Sequence, residues 1–139
     1  MIAKALTETH ALAFNDARPW SEQEFEELLK QNRVTLIGDA QSFILARQVA
    51  DEIEILTLAT HPSLHRQGYS TKNLENLVTQ ARENDASTIF LEVAADNRPA
   101  IALYDKAGFA QIATRPAYYA RTHGAPVDAL ILQKKLDPA

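Results

Sequence analysis

Leu91-Glu92-Val93-Ala94-Ala95-Asp96-Asn97-Arg98-Pro99-Ala100-Ile101-Ala102-Leu103-Tyr104-Asp105-Lys106-Ala107-Gly108-Phe109 reads as a strand end, a turn and a capped helix. Thr88 to Val93 is a compact apolar run of strand length. Asn97 is a preferred N-cap residue, Pro99 suits the first helical turn, and Gly108 suits the left-handed position that follows a helix. The helix between these signals spans about Arg98 to Ala107.

Upstream, Leu74, Leu77, Val78 and Ala81 fall at i, i+3, i+4 and i+7, the apolar stripe of an amphipathic helix. A loop centred on Gly68 precedes it. Three strand candidates come earlier, Val34 to Ile37, Ser42 to Val49 and Ile53 to Ala59. They are separated by Gly38-Asp39 and by Ala50-Asp51-Glu52, the pattern of a meander. Two helices open the chain. One runs from about Ile2 to Phe14, with Leu6 and Ala13 on one face. The other begins at the capping box Ser21-Glu22-Gln23-Glu24 and carries Phe25, Leu28 and Leu29 to about Asn32. Two more strands, Ala110 to Tyr118 and Val127 to Leu136, close it around His123-Gly124. Mixed helices and strands with an antiparallel start predict an α+β fold in three layers, with a mixed, mostly antiparallel sheet. No repeat or Gly/Ser linker interrupts the pattern, so residues 1-139 are expected to form a single domain.

Composition narrows the function. Apolar residues make up 46% of the 139, enough for a core, and charged residues 23%. The net charge of −4 and the pI near 5.5 lack the basic surplus of a nucleic-acid binder, so no direct nucleic-acid partner is expected. The absence of cysteine removes disulfides, thiolate metal sites and a Cys nucleophile. Lys4 and Glu8 stand where a signal peptide would need its apolar region, and no run approaches the ~20 apolar residues of a membrane span. A cytoplasmic protein with no membrane contact is expected.

The loop Pro62-Ser63-Leu64-His65-Arg66-Gln67-Gly68-Tyr69-Ser70-Thr71 joins a strand to a helix. Backbone amides there, the positive helix end, Arg66 and the hydroxyls of Ser70 and Thr71 suit a phosphate. A plain strand–helix turn with one glycine explains the same residues. His61 and His65 are four apart, but Pro62 argues against a helix between them, so no metal site is expected.

Asn97, Ala100, Leu103, Tyr104, Gly108 and Phe109 fit the pattern N-x-x-A-x-x-L-Y-x-x-x-G-F, which resembles the GNAT N-acetyltransferases. Within that family the chain is most similar to the ribosomal-protein alanine N-acetyltransferase, or RimI-like, branch. The features are Pro19-Trp20-Ser21, Leu56-Thr57-Leu58-Ala59 before His61-Pro62, Leu91-Glu92-Val93, Tyr118-Tyr119 and Asp128-Ala129. The likeness runs from about His10 onward. Two departures stand out. The family loop usually reads Gln/Arg-x-x-Gly-x-Gly/Ala, where this chain has His65, Gly68 and Ser70. The family also opens with a strand, which here looks missing or vestigial.

The resemblance implies the three-layer α/β/α acyl-CoA N-acyltransferase fold, with acetyl-CoA as co-substrate and no metal. It implies direct transfer to an amine in a ternary complex. Glu92 takes the place of the general base and Tyr104 that of the general acid toward the CoA sulfur. A phenol with pKa ~10 suits a thiolate whose acid has pKa ~8.5. Cofactor binding falls to Leu58, Ala59, Thr60, Arg66, Gln67, Gly68, Tyr69, Ser70, Thr71, Asn97 and Tyr104. Trp20, Tyr118 and Tyr119 line the acceptor entrance, and the loops Asn15 to Trp20 and Arg121 to Val127 set its preference. Each of these residues also has a folding explanation: a strand-end carboxylate, a packed helix aromatic, a cap.

Amine chemistry favours one acceptor class. Near pH ~7.5 an α-amine of pKa ~7.8 is about one-third neutral, and a lysine of pKa ~10.4 is about 0.1% neutral. One carboxylate base fits a protein or peptide α-amine better. Small-amine acetylation and a non-catalytic acetyl-CoA-binding module are the alternatives, the second motivated by His65 and Ser70. The oligomeric state is left open.

Overall fold

The computed structural model describes residues 2–14, 20–121 and 123–137. Its order is α1 (Ile2–Ala13), α2 (Glu22–Leu29), β1 (Val34–Asp39), β2 (Ser42–Val49), β3 (Glu52–Thr60), α3 (Tyr69–Glu83), β4 (Thr88–Ala94), α4 (Arg98–Lys106), β5 (Ala110–Tyr119) and β6 (Val127–Lys135). Among the described residues no strand precedes α1.

The local signals form as read. The Ser21 hydroxyl accepts from the Glu24 amide at 3.1 Å, and the Glu24 carboxylate accepts from the Ser21 amide at 3.0 Å. Helix α4 ends in a full Schellman motif. Phe109 N–H donates to Tyr104 O and Gly108 N–H to Asp105 O, each at 3.0 Å, with Gly108 at φ +94°. The Tyr104 and Phe109 rings meet edge to face at 5.5 Å, the apolar contact that accompanies the motif. Gly108→Ala is expected to cost about 1–2 kcal/mol in denaturant unfolding, because any Cβ is strained at that φ.

Six strands order β1-β2-β3-β4-β6-β5, antiparallel except for the parallel β3–β4 pair. Helices cover both faces. Leu74, Leu77, Ala81 and Tyr104 from α3 and α4 pack with Ile44, Ile53, Ile55, Ile89 and Leu91. Leu6 and Phe25 from α1 and α2 pack with Phe43, Leu45 and Ala59 on the other face.

Two irregularities shape the site. Leu45 pairs with Thr57 but Ala46 with Ile55, so Leu56 bulges out of β3. The bulge reverses which residues face which layer. Ile53 and Ile55 belong to the α3/α4 side, as Leu58 does, whereas Leu56 and Ala59 belong to the α1/α2 side. Pairing of β3 with β4 stops at Ile55↔Leu91. Beyond it β3 runs to Thr60 while β4 stays with β6 to Ala94↔Ala129. The two parallel strands therefore splay, and the β4-facing edge of Leu56 to Thr60 has no strand partner.

Strand β5 is the sheet edge. Its side chains are exposed except for half-buried Tyr119. Between Arg115↔Ala129 and Tyr119↔Val127 it carries three residues, Pro116, Ala117 and Tyr118, against Asp128 alone. A proline and a bulge both blunt an edge against pairing with another chain.

Candidate active site

The splay opens a cavity of about 560 Å³. One wall is Glu54 to Leu58 of β3 and the other is Leu91 to Ala94 of β4. Asn97, Ala100 and Tyr104 of the α4 segment close one end. His10, Phe14 and Trp20, with Tyr118 to Arg121, line the other.

Alternation along β4 places Glu92, and the packing of α4 places Tyr104, the two residues expected to act as base and acid. Leu91 and Val93 point into the α3/α4 core, so Glu92 points the other way. Its carboxylate lies 3.4 Å from the Arg115 guanidinium and stays 24% exposed. Tyr104 reaches the cavity from the α3/α4 face, where it is 5% exposed. The cavity thus has a carboxylate on one side of the sheet and a phenol on the other. Burial, with Tyr119 beside it, pushes the Tyr104 phenol well above the ordinary tyrosine range. Tyr119 is pushed up to about 12, first by burial and then by the Glu92 charge. Tyr119 therefore feels Glu92, and Tyr104 feels Tyr119.

The other expected residues divide. Leu58, Asn97, Trp20, Tyr118 and Tyr119 line the cavity. The Asn97 carboxamide caps α4 by accepting from Ala100 N–H at 3.3 Å. Ala59 is buried in the α1/α2-side core, so only its backbone can face the cleft. Residues 66–71 lie outside the cavity, at the start of α3. That helix has Gly68 at its N-cap with φ +81° and no side-chain cap. Its first backbone bond runs from Lys72 N–H to Gly68 O, which leaves the amides of Tyr69, Ser70 and Thr71 without helical partners.

His65 and Ser70, the two departures in this loop, both hold Thr60 at the end of β3. His65 Nε2 donates to the Thr60 carbonyl at 3.0 Å, which requires the Nε2–H tautomer. The hydroxyls of Ser70 and Thr60 bond at 2.8 Å. Thr60 in turn bonds Ser42 at 2.9 Å, and Asn73 donates to Ser42 at 3.1 Å. This chain of polar groups fastens the loop to β2 and β3. His61 Nδ1 is engaged by the amide and hydroxyl of Ser63. Among the described residues, no group of His, Asp or Glu could hold a metal. No described helix is long and apolar enough to cross a membrane.

Among the cavity residues to which the sequence reading gave no role of their own are His10, Thr57 and Arg121. His10 is buried on α1, bonded through Nε2 to the Thr57 hydroxyl at 3.2 Å and stacked on Phe14 at 4.5 Å. Its spacing from Ala3 and Leu6 put it on the apolar face of that helix, a signal available in the sequence. Thr57 follows from the bulge, which carries no marker residue. Arg121 grips Asp96 with two bonds, Nε to Oδ2 at 3.0 Å and Nη2 to Oδ1 at 2.7 Å. The hydrogen bond from Arg121 holds the Asp96 carboxyl below its usual range, so the pair is intact at neutral pH. The Arg121 guanidinium also lies 5.8 Å from the centre of the Tyr119 ring. Of the loops expected to set the acceptor, residues 15–19 and 122 lie outside the described residues.

Residues 2–109 match the model of the Acetyltransferase (GNAT) family. Over 120 residues the chain is 35% identical to the ribosomal protein bS18-alanine N-acetyltransferase of Escherichia coli K12, covering 84% of this chain and 80% of that relative. It is 30% identical over 132 residues to the N-alpha-acetyltransferase RimI of Mycobacterium tuberculosis, covering 88% of this chain and 81% of the relative. The crystal structure of the ribosomal-protein-S18-alanine N-acetyltransferase from Escherichia coli matches with a TM-score of 0.88 at 31% identity, covering 99% of this chain and 89% of that one.

Proposed function

Because the chain belongs to the GNAT family of acetyltransferases, enzymes that take their acetyl group from acetyl-CoA, we propose that it acetylates the N-terminal α-amine of a protein. Similarity to two relatives named for that chemistry supports the acceptor class. The observation that carries the reading is the cleft itself, with Glu92 on one face of the sheet and Tyr104 on the other. We read residues 1-139 as one catalytic domain working in the cytoplasm.

The residues fit acetyl-CoA. The α3 amides, the helix dipole and Arg66 form an anion site at the β3–α3 turn. The edge of β3 from Leu56 to Thr60, which has no strand partner and of which His65 takes the Thr60 carbonyl, offers backbone donors and acceptors to an extended arm. Ala59 and Thr60 contribute there through the backbone, with Gln67 to Thr71 around the phosphates and Asn97 at the inner end.

Acetyl-CoA supplies an acetyl group activated as a thioester. Glu92 takes the proton from the attacking amine, directly or through water. The backbone of Leu58 and Thr60 donates to the carbonyl oxygen as charge develops there. Tyr104 donates from its phenol to the sulfur. Its raised pKa alters the expected form of that step. A phenol this reluctant to ionise stabilises the sulfur as a hydrogen-bond donor while charge builds, and CoA leaves as a thiolate, whose acid has pKa ~8.5, that takes its proton from water. Trp20, Tyr118 and Tyr119 shape the acceptor mouth.

The direct test is an array of N-terminal peptides, lysine peptides and small amines with acetyl-CoA as donor. Turnover concentrated on free α-amines is expected. Acetylation of small amines or lysine side chains alone would overturn the acceptor assignment. Ser70→Ala separately probes the phosphate loop. Losing the bond to Thr60 should weaken acetyl-CoA about fivefold by calorimetry, the value of one ordinary hydrogen bond.

A further inference from the structure

The bulge in β5 raises a question the catalytic residues do not answer: what holds Tyr118 and Tyr119 in the cleft. An exposed edge strand with three unpaired residues has little packing to fix it. Ala117, in the middle of the bulge, sits at φ +50°, a strained conformation for a residue with a Cβ. The Asp128 carboxylate meets it there. Its Oδ1 accepts from Ala117 N–H at 2.9 Å. The Asp128 main-chain carbonyl accepts from Ala95 N–H, also at 2.9 Å, on the opposite side. One residue of β6 thus joins the acceptor strand to the end of β4, three residues beyond Glu92. The Arg121–Asp96 pair makes a second tie between the same two segments. Asp96 precedes Asn97, which caps the helix bearing Tyr104.

We propose that Asp128 is a positioning residue for the acceptor site: by holding Ala117 it sets Tyr118 and Tyr119 against Glu92. Asp128 does not line the cavity, so it acts through the strand and not by touching the reacting groups. The inference rests on the acceptor reading above. It predicts a selective defect. The cofactor loop at Gly68 is built from other elements, so acetyl-CoA binding should be spared.

The experiment compares Asp128→Ala and Asp128→Asn with the unaltered protein. Asn keeps an oxygen acceptor for Ala117 N–H, and Ala does not. Asp128→Ala should raise the acceptor-peptide KM about tenfold, with the calorimetric Kd for acetyl-CoA within about twofold. Asp128→Asn should restore most of that loss. An unchanged KM in the Ala variant, or equal damage in both variants, overturns the proposal. A second measurement needs no variant. The Ala117 amide resonance of the unaltered protein should persist in deuterated water longer than that of an unprotected amide, and exchange at the unprotected rate also overturns it. If the unaltered protein acetylates no peptide α-amine, the acceptor reading falls, while the Ala117 resonance still decides whether Asp128 holds the bulge.

Discussion

Tyr104→Phe is expected to lower kcat by about a hundredfold, or ~2.7 kcal/mol of barrier, with little change in acetyl-CoA affinity. The substitution removes one oxygen and keeps the ring. Edge-to-face packing on Phe109 and the Schellman bonds that place the ring do not involve the hydroxyl. Stability should therefore change little, and a thermal unfolding curve checks that. The loss comes from the leaving sulfur, which would build charge in a desolvated end of the cleft without its donor. Because burial holds the phenol well above its ordinary range, the residue titrates outside the working pH. The defect should be flat with pH. Full activity in the Phe variant removes Tyr104 from the mechanism, and a defect confined to KM for acetyl-CoA would make it a binding residue only.

The order of elements was legible because each announces itself locally. The Ser21 capping box, the Asn97 cap and Gly108 mark helix ends by residue types that few other settings favour. The expected strands differ from those found by a residue or two, as at β1, which continues through Gly38 to Asp39. The Leu56 bulge was not legible. Ile53, Ile55, Thr57 and Ala59 are all buried, so the strand shows an unbroken alternation. The first two face α3 and α4, while Thr57 meets His10 of α1 and Ala59 packs on the α1/α2 side. With helices on both faces, a reversal of direction leaves the burial pattern unchanged. Yet this bulge is where β3 leaves β4 and the cleft begins. The pairs Arg121–Asp96 and Asp128–Ala117 were illegible for another reason. They join residues distant in sequence, and nothing in an isolated Asp or Arg says which partner the fold will bring. The resemblance supplied Glu92 and Tyr104 as a pair, and the structure then explained why they approach from opposite faces. His65 and Ser70 looked like defects of the phosphate loop in the sequence. Their bonds to Thr60 make them part of its anchorage.

Glu92→Gln is expected to lower kcat/KM about three-hundredfold at neutral pH, within the range for removing a general base. Gln keeps the size and a hydrogen-bonding oxygen but cannot take a proton. Two side effects are predictable from the site. Arg115 loses its charged partner, a half-exposed pair worth little to stability. Tyr119 loses the negative neighbour that helps to hold its phenol at about 12, so its titration should move down. The sign follows from the charge: a nearby carboxylate disfavours the phenolate, and removing it favours ionisation. The discriminating measurement is the pH dependence of the defect. An α-amine acceptor of pKa ~7.8 is mostly protonated at pH ~6.5 and mostly neutral at pH ~9. If Glu92 serves to deprotonate the amine, the variant should recover toward the unaltered enzyme as pH rises through that range. A lysine acceptor of pKa ~10.4 would show no recovery until well above pH ~9. A defect that stays constant for an α-amine substrate would instead assign Glu92 to fixing Arg115 and Tyr119, and the base would have to be sought among the other polar groups of the cleft, Glu54 and His10 first.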